Sequence, residues 1–158
     1  MPTQIALATF TKALSGLLTE TFEQVHSIYL DPGTSLFETL ETISAEEASR
    51  PVSATCASIA AQVEHVRFYL AVLARYARGE QVGKIDWADS WQLQQVTPDG
   101  WDALKGRLRA AHRDILAIVA DETTWQNEDA IGGSLAIVVH TAYHLGEIRQ
   151  ALCTIKAS

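Results

Sequence analysis

Four stretches of this chain repeat their apolar residues every three to four positions, and no stretch alternates them every two. A period near 3.6 lays side chains along one face of a helix, whereas a half-buried strand needs a period of 2. The first stretch puts Phe10, Leu14, Leu17, Thr21, Val25 and Ile28 on one stripe, with Leu18, Phe22 and Tyr29 beside it, and is expected to run to the stop at Asp31-Pro32-Gly33. The second is expected from Ser53 to Arg78, with Ile59, Val63, Val66, Leu70 and Leu73 as its stripe and Gly79 as its C-terminal cap. The third opens at Thr97-Pro98-Asp99, an N-cap, a first-turn proline and an acid at the positive end of the dipole. Trp101, Leu104, Leu108, Ala111, Ile115 and Ile118 form its apolar side. After a polar connection from Asp121 to Asp129, the fourth is expected over Ile131 to Ile155.

The expected fold is therefore all-α: a left-handed, mostly antiparallel four-helix bundle with a longer first connection carrying short helices. Ser35-Leu36-Phe37-Glu38 and Ser44-Ala45-Glu46-Glu47 both have capping-box spacing, and Pro51 limits the second of these to a turn or two. Residues 1–158 read as one domain, long enough to bury a core. The connector from Glu80 to Val96 is irregular, but its two tryptophans, Trp87 and Trp91, suggest that it packs down.

Charge and cysteine usage narrow the partners. The net charge of −7 and the lack of a basic cluster beyond Arg67, Arg75 and Arg78 give no support to nucleic-acid binding. No apolar run has the length of a membrane span, and the first twenty residues lack the pattern of a signal peptide, so a cytoplasmic location is expected. Cys56 and Cys153 fall among apolar neighbours in expected helices and read as reduced, buried cysteines.

Chemistry enters with His140 and His144. Four residues apart on a helix, they point about 40° from one another, the usual way for one helix to present half of a metal site. With His140 at 0°, Glu147 lies at about −20°, and the pair borders the apolar face formed by Ile137, Leu145, Ile148 and Leu152. His65 flanks the apolar face of the second helix in the same way, about halfway along it, and the similar depth of all three makes contact possible in a bundle. Ser58 and Tyr69 lie within about 40° of His65. His26, near a helix end, and His112, beside Arg113 and Asp114, fit less well; His112 reads as surface or half-buried. A ferritin-like di-iron site needs two Glu-x-x-His motifs, and only Glu23-Gln24-Val25-His26 matches. Spacing alone leaves two readings of His65, His140 and His144: ligands, or packed half-buried histidines.

The segment His140-Thr141-Ala142-Tyr143-His144-Leu145-Gly146-Glu147-Ile148-Arg149-Gln150 resembles the final-helix signature of the DinB-like metal-binding four-helix bundles. Ser58 to Phe68 resembles their second-helix signature, and Leu40 to Arg50, with Asp86-Trp87 and Trp91, resembles a subgroup. The likeness spans most of the chain. It implies His65, His140 and His144 as a facial triad for a divalent ion such as Zn²⁺ or Ni²⁺. It also implies a dimer, and for some members the transfer of low-molecular-weight thiols, in a superfamily with maleylpyruvate isomerase. Glu147 stands where Gln is usual, which leaves it as a fourth ligand, a support to His144, or a partner of a surface cation.

Three functions follow. A metal-dependent enzyme would activate a thiol, or a water for hydrolysis, against a small electrophile, with Tyr69 as a candidate hydrogen-bond donor and Trp87 and Trp91 as pocket walls. A non-catalytic module would bind metal or a small ligand, as in a stress or sensing protein. A metal-free interaction protein would merely pack the histidines. A homodimer is expected because Leu135, Val139, Ala142, Tyr143 and Gly146 make the last helix apolar on the side away from the histidines.

Overall fold

The computed structural model describes residues 4–127 and 129–157. Among them there is no strand. The chain forms α1 (Leu7–Phe22), α2 (Leu36–Glu41), α3 (Ala45–Ser49), α4 (Ile59–Ala77), α5 (Pro98–Ala120) and α6 (Ala130–Ala157). Two short 3-10 helices, Trp87–Trp91 and Glu122–Gln126, lie on either side of α5. The four long helices are those that the apolar periodicity marks. α1 and α4 each pack against both α5 and α6.

Helix ends follow local chemistry. Ser35 and Ser44 form complete capping boxes with Glu38 and Glu47. Thr97 accepts from the Gly100 N–H at 3.1 Å, with Pro98 in the first turn of α5. α4 ends as expected at Gly79, whose φ of 71° is costly for a side chain. Its N–H donates to the Tyr76 carbonyl and the next, of Glu80, to the Arg75 carbonyl, which closes the helix with paired backbone bonds.

Two boundaries differ from expectation. α1 stops at Phe22, so Val25 and Ile28 lie outside it. The cause is Glu20, a fully buried carboxylate. Its Oε2 accepts from the N–H groups of His26 (3.0 Å) and Ile28 (2.9 Å), and its Oε1 from those of Tyr29 (2.7 Å) and Leu30 (2.8 Å). These four donors are satisfied by a side chain rather than by another helical turn, and Ser27 takes a φ of 62° to allow it. Burial pushes the Glu20 carboxyl up, but the four backbone bonds outweigh it and bring it down to about 2.

α4 begins at Ile59 rather than near Ser53. The Ser58 side chain accepts from the Ala61 N–H and fixes the start there. Cys56 therefore lies outside the helix and is exposed, and Cys153 is exposed on α6, so the expectation of two buried cysteines fails. Apolar neighbours in sequence do not place a side chain on the buried face.

The core joins Leu14, Leu18 and Phe22 of α1 to Val63, Val66 and Leu70 of α4. It continues through Leu104, Leu108 and Ile115 of α5 to Ile137, Leu145 and Ile148 of α6. Each such side chain contributes roughly 1.5–3 kcal/mol by leaving water. α2 and α3 cover one end, where the Trp101 indole N–H donates to the Ile43 carbonyl at 2.8 Å. His112 is not at the surface. It is 1% exposed and stacks on Phe22, centroids 4.4 Å apart. The α5 stripe turns it inward between Leu108 and Ile115, a position its charged sequence neighbours conceal. No helix among the described residues is long and apolar enough to cross a membrane.

Candidate metal centre

α4 contributes His65, and α6 contributes His140 and His144, from facing sides of the α4–α6 contact. One ligand nitrogen from each lies within 4.8 Å of the other two. His65 and His144 are buried, 8% and 4% exposed, and His140 is half-buried. His26 and His112 take no part in the cluster.

The hydrogen bonds assign the ring nitrogens. Ser90 Oγ donates to the Trp87 carbonyl at 2.6 Å and lies 2.7 Å from His65 Nδ1. A hydroxyl has one proton, and the carbonyl can only accept. Ser90 must therefore accept from His65 Nδ1–H, which leaves the lone pair of His65 on Nε2. On His144, Nδ1 faces Glu147 Oε2 at 3.0 Å and Gln62 Oε1 at 3.3 Å, both acceptors, so its Nε2 is likewise free of a proton. His65 Nε2 lies 3.2 Å from His140 Nε2. That spacing matches the edge of a tetrahedron built on metal–nitrogen bonds of about 2.0–2.1 Å. His140 Nδ1 is buried and has no hydrogen-bond partner among the described residues. His140 is thus the least supported of the three. His65 and His144 have tautomers that leave Nε2 without a proton, and each of the three histidines offers a ligand nitrogen within 4.8 Å of the others, a donor set that fits a divalent ion.

Aromatic rings close the flanks. Trp91 stacks on His65 with centroids 4.0 Å apart, and Tyr69 on His140 at 3.8 Å. Tyr143 meets His144 edge-on at 5.0 Å. This enclosure acts on the charge state. Burial pushes His65 down to about 4, with His144 adding to the effect and Glu147 opposing it. Burial, then His144 and His65, brings His140 to about 4. His144 is also lowered by burial, against the opposing charge and hydrogen bond of Glu147. All three are neutral imidazoles near pH 7, the form that ligates.

Glu147 bonds the rear nitrogen of His144 and accepts from the Tyr143 hydroxyl at 2.8 Å, so its carboxylate is held by two residues. Tyr69 is a packed tyrosine whose ring, rather than its hydroxyl, meets the cluster. Trp87 sits behind it, 5.8 Å from centroid to centroid. Sequence reasoning missed Ser90 and Gln62. Gln62 precedes His65 by three residues, so helical spacing could have found it. Ser90 acts across a connector, and no periodicity reports such contacts.

Two hollows flank the cluster. A groove of about 500 Å³ runs past Gln62, Trp91 and Glu147. A more enclosed cavity of about 420 Å³ lies one helical turn beyond the Tyr69–His140 pair, between Leu73, Ile118, Trp125 and Ile137.

No family model, no curated protein and no solved structure matches this chain.

Proposed function

We propose that the chain is a DinB-like four-helix bundle, built from α1, α4, α5 and α6, that binds one divalent ion through His65, His140 and His144. We propose further that it uses this centre to transfer a low-molecular-weight thiol to a small electrophile. The observation that carries the metal reading is the cluster itself: one ligand nitrogen from each of His65, His140 and His144 lies within 4.8 Å of the other two, and Ser90 and Glu147 take the Nδ1 protons of His65 and His144, leaving the Nε2 of each with its lone pair. Zn²⁺ or Ni²⁺ suits an imidazole set.

His65, His140 and His144 would hold the ion as neutral ligands, and it would supply there the lowering of the pKa of a coordinated thiol or water. The chain does the rest. Ser90, Gln62 and Glu147 orient the imidazoles. Trp91 and Tyr69 keep water from two flanks, which strengthens every charge interaction inside. The groove past Glu147 leaves room for a substrate. The exposed apolar residues of α6, Leu135, Val139 and Tyr143, are the proposed contact of a homodimer.

Metal analysis of tag-free protein grown in metal-supplemented medium tests the first half, with one ion per chain expected. Thiol conjugation measured with and without chelator tests the second. Stoichiometric metal without chelator-sensitive turnover would make the protein a binding module, and absence of metal overturns the reading.

A further inference from the structure

The cavity of about 420 Å³ lies where the last turns of α4 and α5 meet the start of α6 and the 3-10 helix Glu122–Gln126. Protein interiors pack to crystal density and hold few voids larger than a water molecule, so a hollow of this size stands out. Ile115, Val119 and Ile137 line it and are buried; Leu73, Ile118 and Trp125 line it and are half-buried. It shares no residue with the histidine cluster.

The chemistry of the wall is apolar, because its polar side chains are turned back on the chain. The Thr124 hydroxyl donates to the Ile118 carbonyl at 2.8 Å and the Ser134 hydroxyl to the Ile131 carbonyl at 2.9 Å. The Trp125 indole N–H donates to the Val119 carbonyl at 3.2 Å, and Asn127 Oδ1 accepts from the Asp129 N–H at 2.9 Å. Among the described residues, Asp129 is the only charged one on the wall, and it is exposed. An anionic guest would meet no cation there and would lose its hydration uncompensated. Phe10 meets the Trp125 ring edge-on at 5.2 Å, which with the indole bond fixes that ring as a wall.

Gly132 and Gly133 also line the cavity, in the first turns of α6. After proline, glycine is the poorest helix former. Neither residue has a positive φ, and a Cβ on either would meet no heavy atom within 4 Å beyond its chain neighbours and helix backbone. Neither backbone conformation nor close packing therefore calls for glycine here. What the two absent side chains provide is volume.

We infer that this cavity is a binding site, separate from the metal centre, for one small uncharged molecule of mostly apolar character, such as a compound of one or two aromatic rings. An apolar cavity of about 150 Å³ takes benzene, and small-molecule sites span about 300–1,000 Å³, so the volume suits such a guest. Leu73, Ile115, Ile118 and Ile137 cover its apolar surface, and Trp125 supplies an aromatic contact.

The test titrates the full chain with 6-propionyl-2-dimethylaminonaphthalene, an uncharged two-ring probe whose emission shifts to the blue out of water. Saturable binding of one probe per chain is expected. Gly133→Leu puts a branched side chain on the cavity wall and should weaken binding at least about tenfold with helical content unchanged, the effect of overpacking. Gly106→Leu, the same exchange at an exposed position of α5, should bind as wild type. Trp125→Phe should dim the probe emission excited through tryptophan. Unlabelled 2-naphthol should displace the probe, and 2-naphthalenesulfonate, with the same rings and a charge, at least about tenfold less well. Chelator should change nothing. No saturable binding, or equal affinity in Gly133→Leu and Gly106→Leu, overturns the site. Equal displacement by the sulfonate overturns the ligand class. Loss of binding with chelator puts the probe at the metal centre and overturns the separation, whereas a protein without metal that still binds the probe keeps this site while losing the metal reading.

Discussion

Ser90 accepts a hydrogen bond from His65 Nδ1 at 2.7 Å while handing its own proton to the Trp87 carbonyl. A 3-10 helix in a connector thereby sets the tautomer of a histidine on α4. Ser90→Ala removes the acceptor and frees the ring. Divalent-metal affinity should fall by about 10–100-fold, as for other outer partners of ligating histidines, with little change in helical content. Ser90→Thr should retain most of the affinity. Competition with a chromophoric chelator distinguishes the two.

His144→Ala should remove most metal binding, since it deletes one of three ligands and leaves the core of Leu145 and Ile148 in place. His112→Ala should leave binding unchanged, because His112 packs against Phe22 and lies outside the cluster. Titration calorimetry with Zn²⁺ and Ni²⁺ reads both. Wild-type affinity in His144→Ala would refute the triad.

Stability of the metal-free protein should decline as pH falls below 6.5. His65, His112 and His140 all have folded pKa values near 4, each lowered first by burial. The unfolded chain binds protons from about pH 6.5 downward, while the folded chain resists until about pH 4. The stability tied to neutral imidazoles is therefore present above pH 6.5 and lost between 6.5 and 4. For His112, the most deeply enclosed, the loss amounts to about 3 kcal/mol. Urea midpoints at pH 7.5, 6 and 5 should fall in that order, and more shallowly in His112→Leu than in wild type.

Glu20→Gln should destabilise the chain more than removal of any exposed acid. The amide keeps one oxygen for four backbone N–H donors and points its own N–H₂ group at the rest. Because the wild-type carboxyl is held near 2, its contribution is complete above about pH 4.5 and is lost as pH falls toward 2. Thermal melts of the variant and of Glu122→Gln at pH 7 give the comparison.

If α6 forms the proposed dimer contact, Val139→Lys should yield a monomer of 17.3 kDa in light scattering, where wild type gives twice that mass. Val139 is 68% exposed and Tyr143 62%, so the substitution costs the single chain little.

Much of this was legible in the residues because helical periodicity and capping are local. The stripes of α4 and α5, the Thr97 and Ser35 caps and the Gly79 stop all follow from spacing within one segment. The shared face of His140 and His144 is local too, and its match with His65 required only that two helices run side by side. What escaped depends on contacts across the chain. The Glu20 carboxylate ends α1 by taking N–H groups six to ten residues ahead, a substitute for helical bonds that no apolar pattern betrays. His112 lies on the buried side of α5 between Leu108 and Ile115 despite Arg113 and Asp114, and Cys56 is exposed because α4 starts after Ser58 rather than near Ser53.

Two of the three histidines come from α6 and one from α4, with His65 and His140 75 positions apart in the chain. An ion held among them would be a clasp across that span, closing a long loop as a disulfide does. It would also gauge alignment. Sliding one helix past the other by a single residue moves its side chains about 1.5 Å and turns them by about 100°, enough to scatter the three nitrogens. Loops around such a clasp are free to change in length and composition, but the relative position of the two helices is locked to it.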